Sequence, residues 1–387
     1  MSAGIYLDYN GSAPLDPRVL EAMSLVLRDG IGNASSVHRF GRMQAARVET
    51  AREQVSQLVG AAATSNVVLT SGATEANNLA LQGIVTDASP ERSRILVSAV
   101  EHASVMATAS WLARQGLAKL DIVPVTRGGA VDLVALEGLL GSDVLLVSVV
   151  AANSETGVIN DLPAIGELAA DCGAVFHSDA TQLVGRLPFD MTATGADAIS
   201  ISGHKICGPT GIGALITTKT TARRLRPVLH GGGHERGLRS GSLNVAGIVG
   251  LGTASAIAAD GQSSEAARVE QLRDALVAQL MDGLDGVFQN GDVSRRLPNT
   301  ANLRFAGADG DAVMANMESV AVSSGSACSA GALEPSSVLL AMGAEREAAE
   351  ESLRFSLGRF TTCDEVEEAA RRTIRAVERV RSLTGSM

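Results

Sequence analysis

Lysine is nearly missing from this chain of 387 residues: only Lys119, Lys205 and Lys219 occur, and the rest of its 32 basic residues are arginine. An excess of basic charge is missing too. Against 42 acidic residues the formal net charge is −10, and no basic block interrupts it, so a direct electrostatic grip on nucleic acid is not expected. Aromatic residues make up 3% of the chain, which leaves aliphatic side chains and alanine to fill a core that the 45% hydrophobic content can support. Cysteine is scarce: Cys172, Cys207, Cys328 and Cys363 show no Cys-x-x-Cys spacing, so no metal site is expected and the set suits a reducing compartment. The longest apolar run, Val144 to Ala152, contains Ser148 and is too short to span a bilayer. No charged and apolar leader precedes Asp8. These features predict a cytoplasmic protein with neither a membrane nor a direct nucleic-acid partner.

Lysine scarcity makes Lys205 informative. It ends Ser202-Gly203-His204-Lys205, directly after the strand-like Ala198-Ile199-Ser200-Ile201. A lysine kept where arginine is otherwise used points to amine chemistry, because a guanidinium cannot condense with a carbonyl. About 25 residues earlier, Phe176-His177-Ser178-Asp179 reads as a strand ending in an acid, which can pair with a protonated pyridine nitrogen. Thr70-Ser71-Gly72-Ala73-Thr74-Glu75 follows the strand-like Val67-Val68-Leu69 and opens a helix, a place where free backbone N–H groups meet a phosphate. Each feature has an ordinary alternative: a loop lysine, a turn-forming aspartate, a capped helix start. Together they are the three grips that pyridoxal 5′-phosphate needs.

Strand-like stretches at 67–70, 94–98, 120–125, 144–151, 174–178, 198–202 and 212–217 alternate with helical patterns at 38–59, 74–85, 102–115, 132–140 and 162–171. Such alternation predicts an α/β fold with a mainly parallel sheet, ligands sitting at the carboxyl ends of its strands. A helical run from Leu243 to Ala259 and the polar stretch Asp260 to Ser264 mark an expected boundary. Beyond it, helices at 265–284, 309–318 and 364–383 mix with strands at 300–305 and 352–356, the pattern of a smaller α+β domain.

From end to end the chain resembles the cysteine desulfurases, the class V branch of the fold-type I pyridoxal-phosphate enzymes. The resemblance rests on Tyr6-Leu7-Asp8-Tyr9, Thr70 to Glu75, Glu101-His102, Asp179-Ala180-Thr181-Gln182 and Ser202 to Lys205. It continues through His230-Gly231-Gly232-Gly233-His234-Glu235-Arg236, Arg239-Ser240-Gly241, Ser323-Ser324-Gly325-Ser326-Ala327-Cys328 and Arg354-Phe355-Ser356. It implies a fold-type I aminotransferase, with a large domain over 15–260 built on a mainly parallel seven-stranded sheet. Residues 1–14 and 261–387 would form the smaller domain and carry the cysteine loop. The resemblance also implies that Lys205 carries the cofactor as a Schiff base, that Asp179 holds the pyridine nitrogen protonated, and that His102 stacks on the ring and handles protons. Gln182 would bond the phenolic oxygen, while Ala73, Thr74, Ser202 and His204 would hold the phosphate. Ser242, where threonine is usual, would complete the phosphate site of the other subunit of a homodimer. Arg354 would clamp the carboxylate of L-cysteine, and Cys328 would take its sulfur as a persulfide and hand it to an acceptor protein.

Two departures stand out. Asn153-Ser154-Glu155 replaces the usual Asn-Asn-Glu, and Asn10-Gly11-Ser12-Ala13-Pro14 replaces a usual Ala-Thr-Thr-Pro, both on the substrate side. The activity implied is conversion of L-cysteine to L-alanine, with sulfur going to iron–sulfur assembly, tRNA thiolation or DNA phosphorothioation. Selenocysteine lyase or another class V lyase or transaminase is one alternative, and a non-catalytic sulfur-transfer scaffold is another.

Overall fold

Seven strands form one sheet in the order Val67–Thr70, Gly213–Thr217, Ala198–Ser202, Val175–Asp179, Val144–Ser148, Arg94–Ser98 and Lys119–Val123 in this computed structural model, which describes residues 4–324 apart from 62, 64 and 65, and residues 334–385. Only Gly213–Thr217 runs against its neighbours. The other adjacent pairs are parallel. Val144–Ser148, Val175–Asp179 and Ala198–Ser202 are buried at every position, polar residues included, as strands in a sheet covered on both faces should be. The period of two divides each strand between the faces. Ile95 and Val97 join the core under helices Ala73–Val85 and Ala103–Arg114. Leu96 and Val147 join the core under helix Arg39–Leu58.

A second sheet, antiparallel, orders Ser323–Ser324, Ser352–Ser356, Thr300–Phe305 and Val287–Gln289. It packs on helix Cys363–Thr384, started by a capping box between Thr362 and Glu365. Phe305 and Phe355, set edge to face at 6.4 Å, lie in a core of their own with Leu276, Leu280 and Val377. Ile5 and Leu7 belong to that same core, and Ile5–Tyr6 pairs with Val320–Ala321. The N-terminal segment then leaves along Ser356, bridged at Asp8, and crosses towards the large sheet.

The polar stretch at 260–264 is not a break in the chain. It lies inside one helix, Val245–Gly283, where separate helices ending at 259 and starting at 265 are expected from the sequence. Glycine and aspartate inside a helix cost roughly 0.5–1 kcal/mol each, too little to overrule packing at both ends. Ile248, Leu251 and Ala254 are seated in the large core, Leu272, Leu276 and Leu280 in the smaller one, and Gln262 is tied to the Leu187 carbonyl at 2.6 Å. Helix Pro17–Asp29, begun by the Asp16 cap and Pro17, is a further element beyond those expected. Among the described residues no helix is long and apolar enough to cross a membrane.

Candidate active site

Asp179 is the last residue of its strand and Ser202 the last of the next, so the parallel sheet delivers both to one edge. There they open on a cavity of about 420 Å³. Lys205 ends the short turn Gly203–Lys205 and reaches the same cavity, its Nζ donating to the Asn10 and Gly11 carbonyls at 2.5 and 2.6 Å. Ala73, Thr74, His102, Gln182, His204 and Arg354 line it too.

Asp179 is buried and fixed from both sides. Its Oδ2 accepts from Asn77 Nδ2 at 2.7 Å and its Oδ1 from the Thr181 amide at 3.0 Å. Helix Ala73–Val85 has no side-chain cap, and the amides of Ala73 and Thr74 donate to no acceptor among the described residues. That start is an open anion site. Gly72 makes the approach possible with φ 151°, and a Cβ there would stand 3.7 Å from Ser202 Oγ. Burial, with Lys205 and Arg186 nearby, pushes the His204 imidazole down to about 4, so it is neutral near pH 7; its Nδ1 lies 3.2 Å from Ser12 Oγ. His102 caps helix Ala103–Arg114 through Nδ1, which accepts from the Ser104 amide at 3.1 Å.

The substrate side is assembled from distant segments. Arg354 Nη2 donates to Asp8 Oδ1 at 2.6 Å and Nη1 to the Ser154 carbonyl at 3.2 Å. Its buried Nε has no partner among the described residues. Asn10 ties this wall together, donating to the Ser154 carbonyl and Thr300 Oγ1 and accepting from Asn299. Gly11 in the departing motif has a physical role: a Cβ there would lie 2.3 Å from Asp8 Oδ2, displacing the carboxylate that holds Arg354. Ser154 contributes its carbonyl to both Asn10 and Arg354.

The resemblance puts Ser242 in the phosphate site of a second copy rather than in this one. Ser242 is exposed and does not line this cavity. It follows a turn with φ 157° at Gly231, 73° at Gly233 and 129° at Gly241, anchored by Glu235, which forms a buried pair with Arg52 at 2.8 Å. Cys328 lies outside the described residues. Asn77 holds the site without belonging to any of the motifs above, while Asp8 and Asn10, which do, hold it through pairings those motifs do not state. Asn77 follows Thr74 by three positions on a helix, a spacing that puts both on one face and was the available signal. For the pairings that Asp8 and Asn10 make no local signal exists.

A family model of aminotransferase class-V matches residues 5–368. The chain belongs to the class-V aminotransferase family. Among its relatives, a cysteine desulfurase of Frankia sp. (strain EuIK1) is 47% identical over 99% of this chain and 93% of its own length. Cysteine desulfurase IscS of Pectobacterium atrosepticum is 44% identical, over 99% and 95%. Among solved structures, a NifS-like protein superposes with a TM-score of 0.90 at 33% identity, covering 97% of this chain and 99% of its own. The class-V fold carries a mostly parallel large sheet, as here.

Members of this family use pyridoxal 5′-phosphate. The residues present fit it: an uncapped helix start for a phosphate, a fixed buried carboxylate for a pyridinium, and a lysine amine in the same cavity. Among the described residues no cluster of ligands is placed to hold a metal ion.

Proposed function

We propose that this class-V aminotransferase is a cysteine desulfurase, converting L-cysteine to L-alanine and passing the sulfur through a Cys328 persulfide to an acceptor protein. The observation that carries the reading is the convergence of Lys205, Asp179, the open helix start at Ala73 and Arg354 on one cavity. The names and coverage of the relatives support it.

Bound pyridoxal 5′-phosphate supplies an electron sink for the substrate α-carbon. The chain does the rest. Lys205 would hold the cofactor through its amine and would move protons at the substrate α-carbon. Asp179, held by Asn77 and Thr181, keeps the proton on the pyridine nitrogen. Ala73, Thr74, Ser202 and His204 would hold the phosphate, with Ser242 of a second copy completing its site. Gln182 would bond the phenolic oxygen, and His102 would stack on the ring and handle protons. Arg354 exchanges its Asp8 contact for the substrate carboxylate. The Cys328 thiolate then attacks the substrate sulfur. An S–S bond forms as the C–S bond breaks, and the released electron pair stays on the β-carbon, which takes a proton and becomes the methyl group of alanine.

The shared-site dimer has its own support. Leu20, Leu27, Ile31, Val37 and Phe40 are large apolar side chains left exposed, Val37 by 87%, more than a chain working alone would leave bare in one segment. We place residues 15–260 in the cofactor domain and 1–14 with 261–387 in the smaller one, the long helix serving both.

The decisive experiment incubates purified chain and cofactor with L-cysteine, measures alanine, and maps the persulfide by mass spectrometry. Alanine with persulfide on Cys328, both lost in Cys328→Ser while cofactor absorbance persists, is the expected result. Persulfide on another cysteine, or undiminished turnover in Cys328→Ser, overturns the sulfur relay. Faster product release from selenocysteine than from cysteine overturns the choice of substrate.

A further inference from the structure

The Gln182 amide has a donor end and an acceptor end, and either can turn towards a ligand. Arg186 settles which. Its Nη1 donates to the Gln182 carbonyl at 2.6 Å and also to Gln182 Oε1. A guanidinium has donors only, so it takes the amide oxygen and leaves Nε2 on the other side, where it donates to the Asn10 carbonyl at 3.1 Å. Among the described residues no carboxylate forms an ion pair with Arg186. The groups facing it are Cys207, Glu265 and Arg354, with His204, Tyr9 and Arg359 beyond. None supplies a close counter-charge. Glu265 is paired with Arg359 at 2.7 Å, and burial pushes the Cys207 thiol up to about 11, leaving it neutral. Burial lowers the Arg186 guanidinium only to about 10, so it remains a cation near pH 7.

A withdrawn cation without a carboxylate is expensive to keep for packing alone. We propose that Arg186 is a positioning residue for the cofactor's phenolic oxygen, locking the NH2 edge of Gln182 inward and holding a positive charge behind it. The inference rests on the cofactor reading above. The phenolic oxygen is most negative when the bound chromophore has lost its proton, so a fixed donor backed by a cation favours the deprotonated form.

The test is a spectrophotometric pH titration of the visible band of the bound cofactor. In Arg186→Met the band should form, with its pH midpoint raised by about one unit relative to wild type. Arg186→Lys, which keeps the charge but not the two-pronged donor, should move it about half as far or less. A merely structural role would lower the melting temperature of Arg186→Met and leave the midpoint in place; that outcome overturns the proposal, as does an equal shift in the lysine variant. Should Arg186→Met fail to fold, Gln182→Met leaves the cation and cuts its route to the cavity. Its midpoint must rise, and an unmoved midpoint there overturns the proposal by itself. No visible band in wild type with added cofactor would overturn the cofactor reading, and this inference with it.

Discussion

Asp179 and Asp8 both reach the cavity region, and they are held in different ways. Asp179 sits where a buried strand ends, gripped by Thr181 two positions on and by Asn77 from the helix packed behind the sheet. Asp8 lies on a short crossing segment. Its Arg354 partner is 346 positions away, and its neighbours Asn10 and Ser12 reach Thr300 and His204, separations of 290 and 192. One aspartate belongs to a floor made by sheet topology, and the other to a wall made by chain folding back. The floor needs only the sheet and the helix packed behind it. The wall needs both cores to be complete and correctly apposed.

The strongest way to test the floor is Lys205→Ala. It removes the amine without touching either core, so the fold should persist while the visible band of bound cofactor disappears and turnover falls about 10²–10⁴-fold. Lys205→Arg should fail equally, because its guanidinium cannot condense with the aldehyde. A normal band in either variant would remove the floor from the chemistry.

The wall is tested next, with a smaller loss. Arg354→Leu removes the carboxylate clamp and should cut kcat/KM for L-cysteine about 10–100-fold, the worth of a charge-assisted pair, while the cofactor band is unchanged. Loss of the band as well would show that floor and wall are one unit and would break the comparison. Asp8→Asn sharpens it further. The amide oxygen can still orient Arg354, but the competing charge is gone, so KM should fall about two- to fivefold with kcat little altered. A raised KM would mean that the Asp8 charge, rather than its position, is what serves the clamp.

The same division explains what could be read from the sequence. Asp179, Lys205 and the Ala73 helix start announce themselves locally, as residues at the edges of apolar strands and helices, because the period of a strand dictates where it ends and what its end carries. The strands around them were legible for the same reason: Ile95-Leu96-Val97 is an apolar run between Arg94 and Ser98, and Ala198–Ser202 alternates Ile199 and Ile201 with serine. Asp8 lies in a motif, but its pairing with Arg354 depends on how two cores meet, and no local pattern encodes that. The unbroken helix Val245–Gly283 was hidden for the opposite reason. Its middle carries Asp260, Gly261 and Ser263, locally a turn signal, and packing at its two ends overrules them.

The smallest expected effect on turnover belongs to Glu101, beside His102 but behind the cavity. Its Oε1 accepts from the Val150 amide and from Ser98 Oγ, each at 2.5 Å, tying neighbouring strands together, while its buried Oε2 has no partner among the described residues. Burial, with Asp179 adding repulsion against bonds that pull the other way, raises this carboxyl from 4.5 to about 8. The folded chain therefore keeps a proton that the unfolded chain releases above about 4.5. Stability falls as pH rises from about 4.5 to about 8, by no more than about 1.4 kcal/mol per pH unit. Glu101→Gln has the shape of the protonated acid and never ionises. In cofactor-free protein it should match wild type in melting temperature near pH 4.5 and exceed it by several degrees near pH 8, with turnover at pH 7 within about twofold. Parallel melting curves for the two proteins across that range would mean that Glu101 ionises in the fold as freely as outside it. The strand ends around Asp179 would then be wetter, and the floor less rigid, than its hydrogen bonds indicate.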